Sequence, residues 1–135
     1  MTEFTSSVQE IPYSAERVFS KLSDMSNLKG LDQLLGDKVQ NFSCDTDSCS
    51  FKVDPIGQVE IQIDEREPNK TIKIKSVQSP VDFIGWIQLA EYEPNDTRLK
   101  LTLRVDLPFF LKAMVSPKLE EGIEKAAQAL AGIEY

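Results

Sequence analysis

Apolar and polar residues alternate strictly through the middle of this chain. The clearest run is residues 97–107, "TRLKLTLRVDL". Leu99, Leu101, Leu103, Val105 and Leu107 share one side; Arg98, Lys100, Thr102, Arg104 and Asp106 share the other. A period of two with one charged side predicts a strand with one dry and one wet face, as antiparallel sheets have. The same period recurs in Phe42 and Cys44, in Cys49, Phe51 and Val53, in Val59, Ile61 and Ile63, and in Ile72 and Ile74. Turn formers separate these runs: "DTDS" at 45–48, "DPIG" at 54–57, "EPNK" at 67–70 and "EPND" at 93–96. Pairing Glu67 with Lys70 sets Ile63 opposite Ile74, so the apolar faces of that hairpin agree in register.

The period lengthens toward both ends. A strand is expected at about residues 3–11. After it, Ala15, Val18, Phe19 and Leu22 make the apolar stripe of a short helix that Ser14 caps. Asp24 opens a second short helix with Met25, Leu28, Leu31 and Leu35 on its apolar face and Gly36 at its end. The last element is a long helix buried through Leu119, Ile123, Ala126, Ala127, Leu130 and Ile133. Ser116 and Pro117 read as its cap and first position, and residues 109–115 as a helical lead-in kinked at the proline.

One strand is ambiguous. In "DFIGWIQLAEY", residues 82–92, both alternations contain apolar side chains. A four-residue "EPND" loop pairs Tyr92 with Thr97 and Trp86 with Leu103, which turns Trp86, Gln88 and Tyr92 inward. A loop one residue longer or shorter flips the strand and turns Phe83, Ile87 and Leu89 inward instead. An inward Gln88 needs a partner: a ligand, Tyr13, Tyr92 or water.

The two cysteines flank "DTDS", so Cys44 faces Cys49 and Phe42 faces Phe51 across one hairpin. Asp45 and Asp47 sit at the tip, away from the sulfurs. With no histidine in the chain, and no calcium-loop glycine or glutamate in place, a metal is not expected there. Opposed strand positions permit a disulfide, but a reducing cytoplasm points to buried free thiols.

Composition narrows the chemistry. The chain has 135 residues, 41% hydrophobic and 27% charged, which fits a single globular domain over 1–135. A net charge of −7 without a basic stripe argues against nucleic acid and against an anionic membrane. No signal peptide and no membrane span is visible, so a cytoplasmic location is expected. The absence of histidine removes Ser-His-Asp and Cys-His systems. No cofactor is expected.

The order strand, two short helices, six antiparallel strands, long helix resembles the helix-grip fold of the START and polyketide-cyclase-like (SRPBCC) superfamily. "SAERVFSKLSDMSNL", "FKVDPIGQVEIQIDEREPNKTIKI" and "DTRLKLTLRVDLPFFLKAMVSPKLEEGIEKAAQAL" carry the resemblance, which covers essentially the whole chain. It implies an α+β fold: a curved antiparallel sheet of about seven strands wrapped around the C-terminal helix, with a cavity between them. It implies a small hydrophobic partner such as a lipid, sterol or polyketide-like molecule. The ligand-binding residues expected on that basis are Phe51, Ile61, Ile74, Trp86, Gln88, Leu101, Leu103, Met114, Leu119 and Ile123. Glu65, Tyr13 and Tyr92 are the acid–base groups of an alternative, a cyclase or dehydratase. A filled core serving as an interaction module is a third reading. No glycine-rich loop of the plant ligand-binding branch stands at "CDTDSC", and no catalytic motif of the cyclases can be matched residue by residue.

Overall fold

The computed structural model describes residues 1–28, 39–53 and 57–135. Leu31, Leu35, Gly36 and most of the "DPIG" turn lie outside them. The described chain is one antiparallel sheet with two helices: β1 (Thr2–Thr5), β2 (Gln9–Ile11), α1 (Ala15–Leu22), a 3-10 turn (Met25–Leu28), β3 (Val39–Cys44), β4 (Ser48–Val53), β5 (Gly57–Glu67), β6 (Thr71–Gln78), β7 (Phe83–Glu93), β8 (Asp96–Val105) and α2 (Phe109–Ala131). The sheet runs β1-β8-β7-β6-β5-β4-β3, with β2 also on β8. Strands β3 to β8 are thus consecutive hairpins, and the N-terminal strands close against the last of them. This is the expected α+β helix-grip architecture.

The first strand divides in two because its register shifts. Phe4 lies opposite Leu103 in β1, whereas Gln9 lies opposite Leu99 in β2. The extra residue is absorbed at Ser6–Ser7–Val8. There the buried Ser6 keeps contact with β8, its N–H donating to the Leu101 carbonyl and its Oγ accepting from the Leu101 N–H, both at 2.9 Å.

The inner face of the sheet carries the core. Ile72 and Leu99 are fully buried beside Val18, Leu22 and Met25, so α1 and the 3-10 turn seal one end. Ser14 Oγ caps α1 by accepting from the Arg17 N–H, and Glu91 adds a carboxylate on the Ala15 N–H at 3.1 Å, where the helix dipole welcomes negative charge. Helix α2 lies against β8, β1 and β2.

Four expectations change in detail. Helix α2 does not start at Pro117 but runs through it from Phe109. Val115, Leu119, Ile123 and Ala127 recur every four residues, buried or half buried, and this one stripe of packing carries the helix past the missing N–H. Ser116 is therefore no cap, and its buried Oγ has no hydrogen-bond partner.

The "EPNK" turn does not pair Glu67 with Lys70. Glu67 pairs with Thr71, and a bulge at Asp64 removes the offset, so Ile63 still faces Ile74. Asn69 meets the turn's demand with φ of 64°. Beyond the bulge Glu65 lies opposite Lys73, not opposite Ile72 as a Glu67–Lys70 pairing requires, and is exposed.

At "EPND" the paired positions are Glu93 and Asp96, which leaves a two-residue loop with Asn95 at φ of 60°. A bulge at Tyr92 then pairs Glu91 with Thr97, Leu89 with Leu99 and Gly85 with Leu103. Strand β7 is therefore flipped from the favoured expectation. Trp86 and Gln88 lie on the outer face; Phe83, Ile87 and Leu89 lie on the inner one.

The two cysteines are bridged, not free. Cys44 and Cys49 are directly opposed with Cα atoms 4.0 Å apart, which brings both sulfurs together on one face. The free-thiol expectation rested on the compartment, and the pairing geometry overrides it. A bridge across so few residues removes chain entropy worth on the order of 2 kcal/mol. The tip between them is ordered by Asp45, whose carboxylate accepts from the N–H groups of Asp47 and Ser48 and from Ser48 Oγ. The Ser48 hydroxyl, first among these bonds, holds the Asp45 carboxyl below the usual aspartate range. The tip also reaches its neighbours: Thr46 O accepts from the Met25 N–H and Asp47 O from the Ile63 N–H.

Candidate functional site

One row across the inner face defines the middle of the site. Phe4, Leu103, Gly85, Ile74 and Ile63 lie side by side on β1, β8, β7, β6 and β5. Gly85 is the one member without a side chain, and Ile74 leans over it. A Cβ at position 85 would stand 2.9 Å from Ile74 Cγ1 and 3.1 Å from its Cδ1. Away from the end that α1 seals, the apolar side chains are only half buried. Phe42, Phe51, Ile74, Phe83, Leu103 and Leu119 all pack against the core without being enclosed by it. The rings of Phe42 and Phe51 are 5.9 Å apart, brought together by a bulge that sets Asn41 at φ of 55°.

The expected ligand-binding residues separate into three groups. Phe51, Ile61, Ile74, Leu101 and Leu103 share the inner face, with Ile61 and Leu101 buried. From α2, Ile123 is buried and Leu119 half buried, while Met114 is 56% exposed on the outer side of the helix beside Phe109 and Phe110. Trp86 and Gln88 are on the other side of the sheet. There the Arg104 guanidinium stacks 5.3 Å from the indole, and Gln88 Oε1 accepts from Thr102 Oγ1 at 2.8 Å. Sequence reasoning left Phe83, Ile87 and Leu89 as the alternative set. No signal in the sequence selects them: pairing Glu93 with Asp96 alone still sets Trp86 opposite Leu103, and only the bulge at Tyr92 turns the strand over.

The acid–base groups of the enzyme alternative do not converge. Tyr92 is exposed with Arg98 stacked 4.7 Å from its ring. Tyr13 packs edge-on against Tyr135 at 5.9 Å under the Arg17 guanidinium. Glu65 is exposed on β5. The polar groups of the inner face are engaged: Thr97 Oγ1 donates to the Tyr13 carbonyl at 2.7 Å, and Ser76 Oγ accepts from the Phe83 N–H. Thr97 and Ser76 are thus occupied in holding backbone.

Two polar clips fix the helices around this face. Glu124 of α2 accepts from the Ser7 N–H at 2.8 Å and from Ser7 Oγ at 2.5 Å, which ties α2 to the break between β1 and β2. The Ser7 hydroxyl, and then its N–H, hold the Glu124 carboxyl below the usual glutamate range. Beyond α2 the chain folds back on α1. Tyr135 is buried, its hydroxyl donates to the Leu130 carbonyl at 2.6 Å, and its main-chain oxygen accepts from Arg17.

Solved structures share this arrangement. Norcoclaurine synthase from Thalictrum flavum superposes with a TM-score of 0.74 at 12% identity, over 96% of this chain and 91% of the other. A START superfamily protein from Mycobacterium smegmatis gives 0.68 at 18% identity, over 96% and 94%. A conserved protein from Geobacillus kaustophilus gives 0.70 at 15%, over 96% and 93%. These likenesses establish the START/polyketide-cyclase-like fold. No family model and no curated protein matches the sequence. Among the described residues no helix is long and apolar enough to cross a membrane.

Proposed function

We propose that the protein binds a small hydrophobic molecule between the inner face of the sheet and α2, without catalysis. The observation that carries this reading is the half-buried apolar wall of Phe42, Phe51, Ile74, Phe83, Leu103 and Leu119 at the end away from α1. Apolar surface left open beside a rigid core gains free energy when a ligand removes it from water. The START-like fold supports the reading, since proteins of this fold hold ligands in that position. The inner-face polar groups described above are already bonded, which favours an orienting role for the ligand's shape over its hydrogen bonds. An acidic chain selects neutral or weakly polar molecules over polyanions.

The test is a thermal-shift panel of fatty acids, sterols and aromatic polyketide-like compounds, read together with native mass spectrometry. At least one compound should raise the melting temperature in a concentration-dependent way, as any ligand selective for the folded state must. Leu103→Trp, which fills the wall, should abolish that shift while the protein stays folded. A panel without any shift, with Leu103→Trp less stable than the parent because no space takes the larger ring, would favour the filled-core module instead.

A further inference from the structure

We propose that the free edge of β1 and the facing side of α2 form a docking groove for an extended, basic peptide segment of another protein. This surface is separate from the apolar wall and does not depend on the reading above.

Among the described residues, strand β1 ends the sheet, with β8 on one side and no strand on the other. The hydrogen bond from the Ser6 N–H to the Leu101 carbonyl fixes the phase of the ladder. Opposed residues in an antiparallel pair alternate between bonded and non-bonded. Phe4 and Thr2 therefore face β8 with their peptide groups, and Glu3 and Thr5 turn theirs outward. Both residues are exposed. Their outward groups open onto a groove of about 600 Å³ lined by Glu3, Phe4, Thr5, Pro117, Glu120, Glu121 and Glu124.

An open edge is normally blunted by lysine, proline or a bulge. β1 carries no lysine and no proline, whereas the opposite edge, β3, carries the Asn41 bulge and the disulfide. The far wall is acidic: Ser7 holds Glu124, Lys125 pairs with Glu121 at 2.9 Å, and Glu120 adds a further carboxylate, so the occupant that fits is a strand with lysine or arginine on its outward positions. Four residues of β1 span about 13 Å, and the seven-residue step from Pro117 to Glu124 rises about 11 Å along α2. The groove thus matches four or five extended residues, paired to backbone on one side and to carboxylates on the other. A second copy of this chain fits worse, because its own β1 would bring Glu3 into an acidic groove.

The experiment uses fluorescence anisotropy of a labelled alternating lysine–valine peptide, with a glutamate–valine peptide as the contrast. The basic peptide should bind and the acidic one should not. Thr5→Pro deletes an outward N–H without touching the β8 ladder and should weaken binding about tenfold, the worth of one backbone hydrogen bond. Glu120→Lys should weaken it as well. N-methylating alternate residues of the peptide should have the same effect with the protein unchanged, which decides the matter even if Thr5→Pro is poorly folded. Equal binding of the methylated peptide would overturn the proposal, leaving only diffuse charge attraction. A parent protein that sediments as a dimer, and that Thr5→Pro returns to monomer, would overturn it by assigning the edge to a second copy.

Discussion

Replacing Tyr135 by alanine is expected to lower the unfolding free energy by about 3–5 kcal/mol, the range for deleting a buried aromatic ring. The ring is 9% exposed and touches Tyr13, and Lys21 approaches it from α1 at 5.9 Å. It therefore locks the chain beyond α2 onto α1, the element that closes one end of the inner face. Tyr135→Phe separates the two contributions. It keeps the ring and loses only the bond to Leu130, so about 1 kcal/mol should go. Urea titrations of the three proteins measure both steps.

The same residue sets an alkaline limit. Burial pushes the Tyr135 phenol above its ordinary value of 10.0. A pKa raised in the folded state gives stability that is complete below the unfolded value and declines as pH rises above it. Stability should accordingly fall above about pH 10, and Tyr135→Phe should flatten that decline. An unchanged alkaline slope in Tyr135→Phe would mean that another group is responsible.

The second large effect is expected at Gly85. Its Cβ has no room beside Ile74, so Gly85→Ala should cost about 1–3 kcal/mol through overpacking. The penalty belongs to a pair and not to a single position. Combined with Ile74→Ala, the same substitution should lose much of its cost, since the clashing atoms are then gone. A double-mutant cycle measures the coupling. Strict additivity would show that Ile74 does not occupy the space above Gly85, and would remove this row from the description of the wall.

The pair also illustrates what a sequence reveals and what it hides. Alternation in residues 97–107 made β8 legible at once, because one face is polar throughout. The stripe Ala15, Val18, Phe19, Leu22 made α1 equally plain. Residues 82–92 are apolar on both sides, so their pattern carries no register, and orientation passed to the pairing next to the turn. A bulge at Tyr92 decided it, and bulges leave no periodic trace. At Asp64 a bulge acted the other way: the turn was misjudged by one residue, yet the Ile63–Ile74 pairing survived. Pro117 misled for a different reason. A proline is locally a helix breaker, and only packing at four-residue spacing on both sides of it reveals that the helix continues. Seven of the ten expected ligand-contact positions lie on the inner face or the inward side of α2, three of them buried and four half buried: Ile61, Leu101 and Ile123, and Phe51, Ile74, Leu103 and Leu119. Trp86 and Gln88 left with the strand, and Met114 left with the helix surface.

The order of the sheet has a consequence for how the chain reaches its fold. Strands β3 to β8 meet their partners through short hairpins, whereas Glu3 must find Arg104 about a hundred residues away. Closing so long a loop is entropically late, so the meander is expected to form first and the N-terminal strands to dock last. Pulse-labelled hydrogen exchange during refolding should protect amides of β5 to β7 before those of β1 and β2, and simultaneous protection would refute the sequence of events. On a ribosome the same geometry means that the first strand waits, unpaired, until β8 has been made.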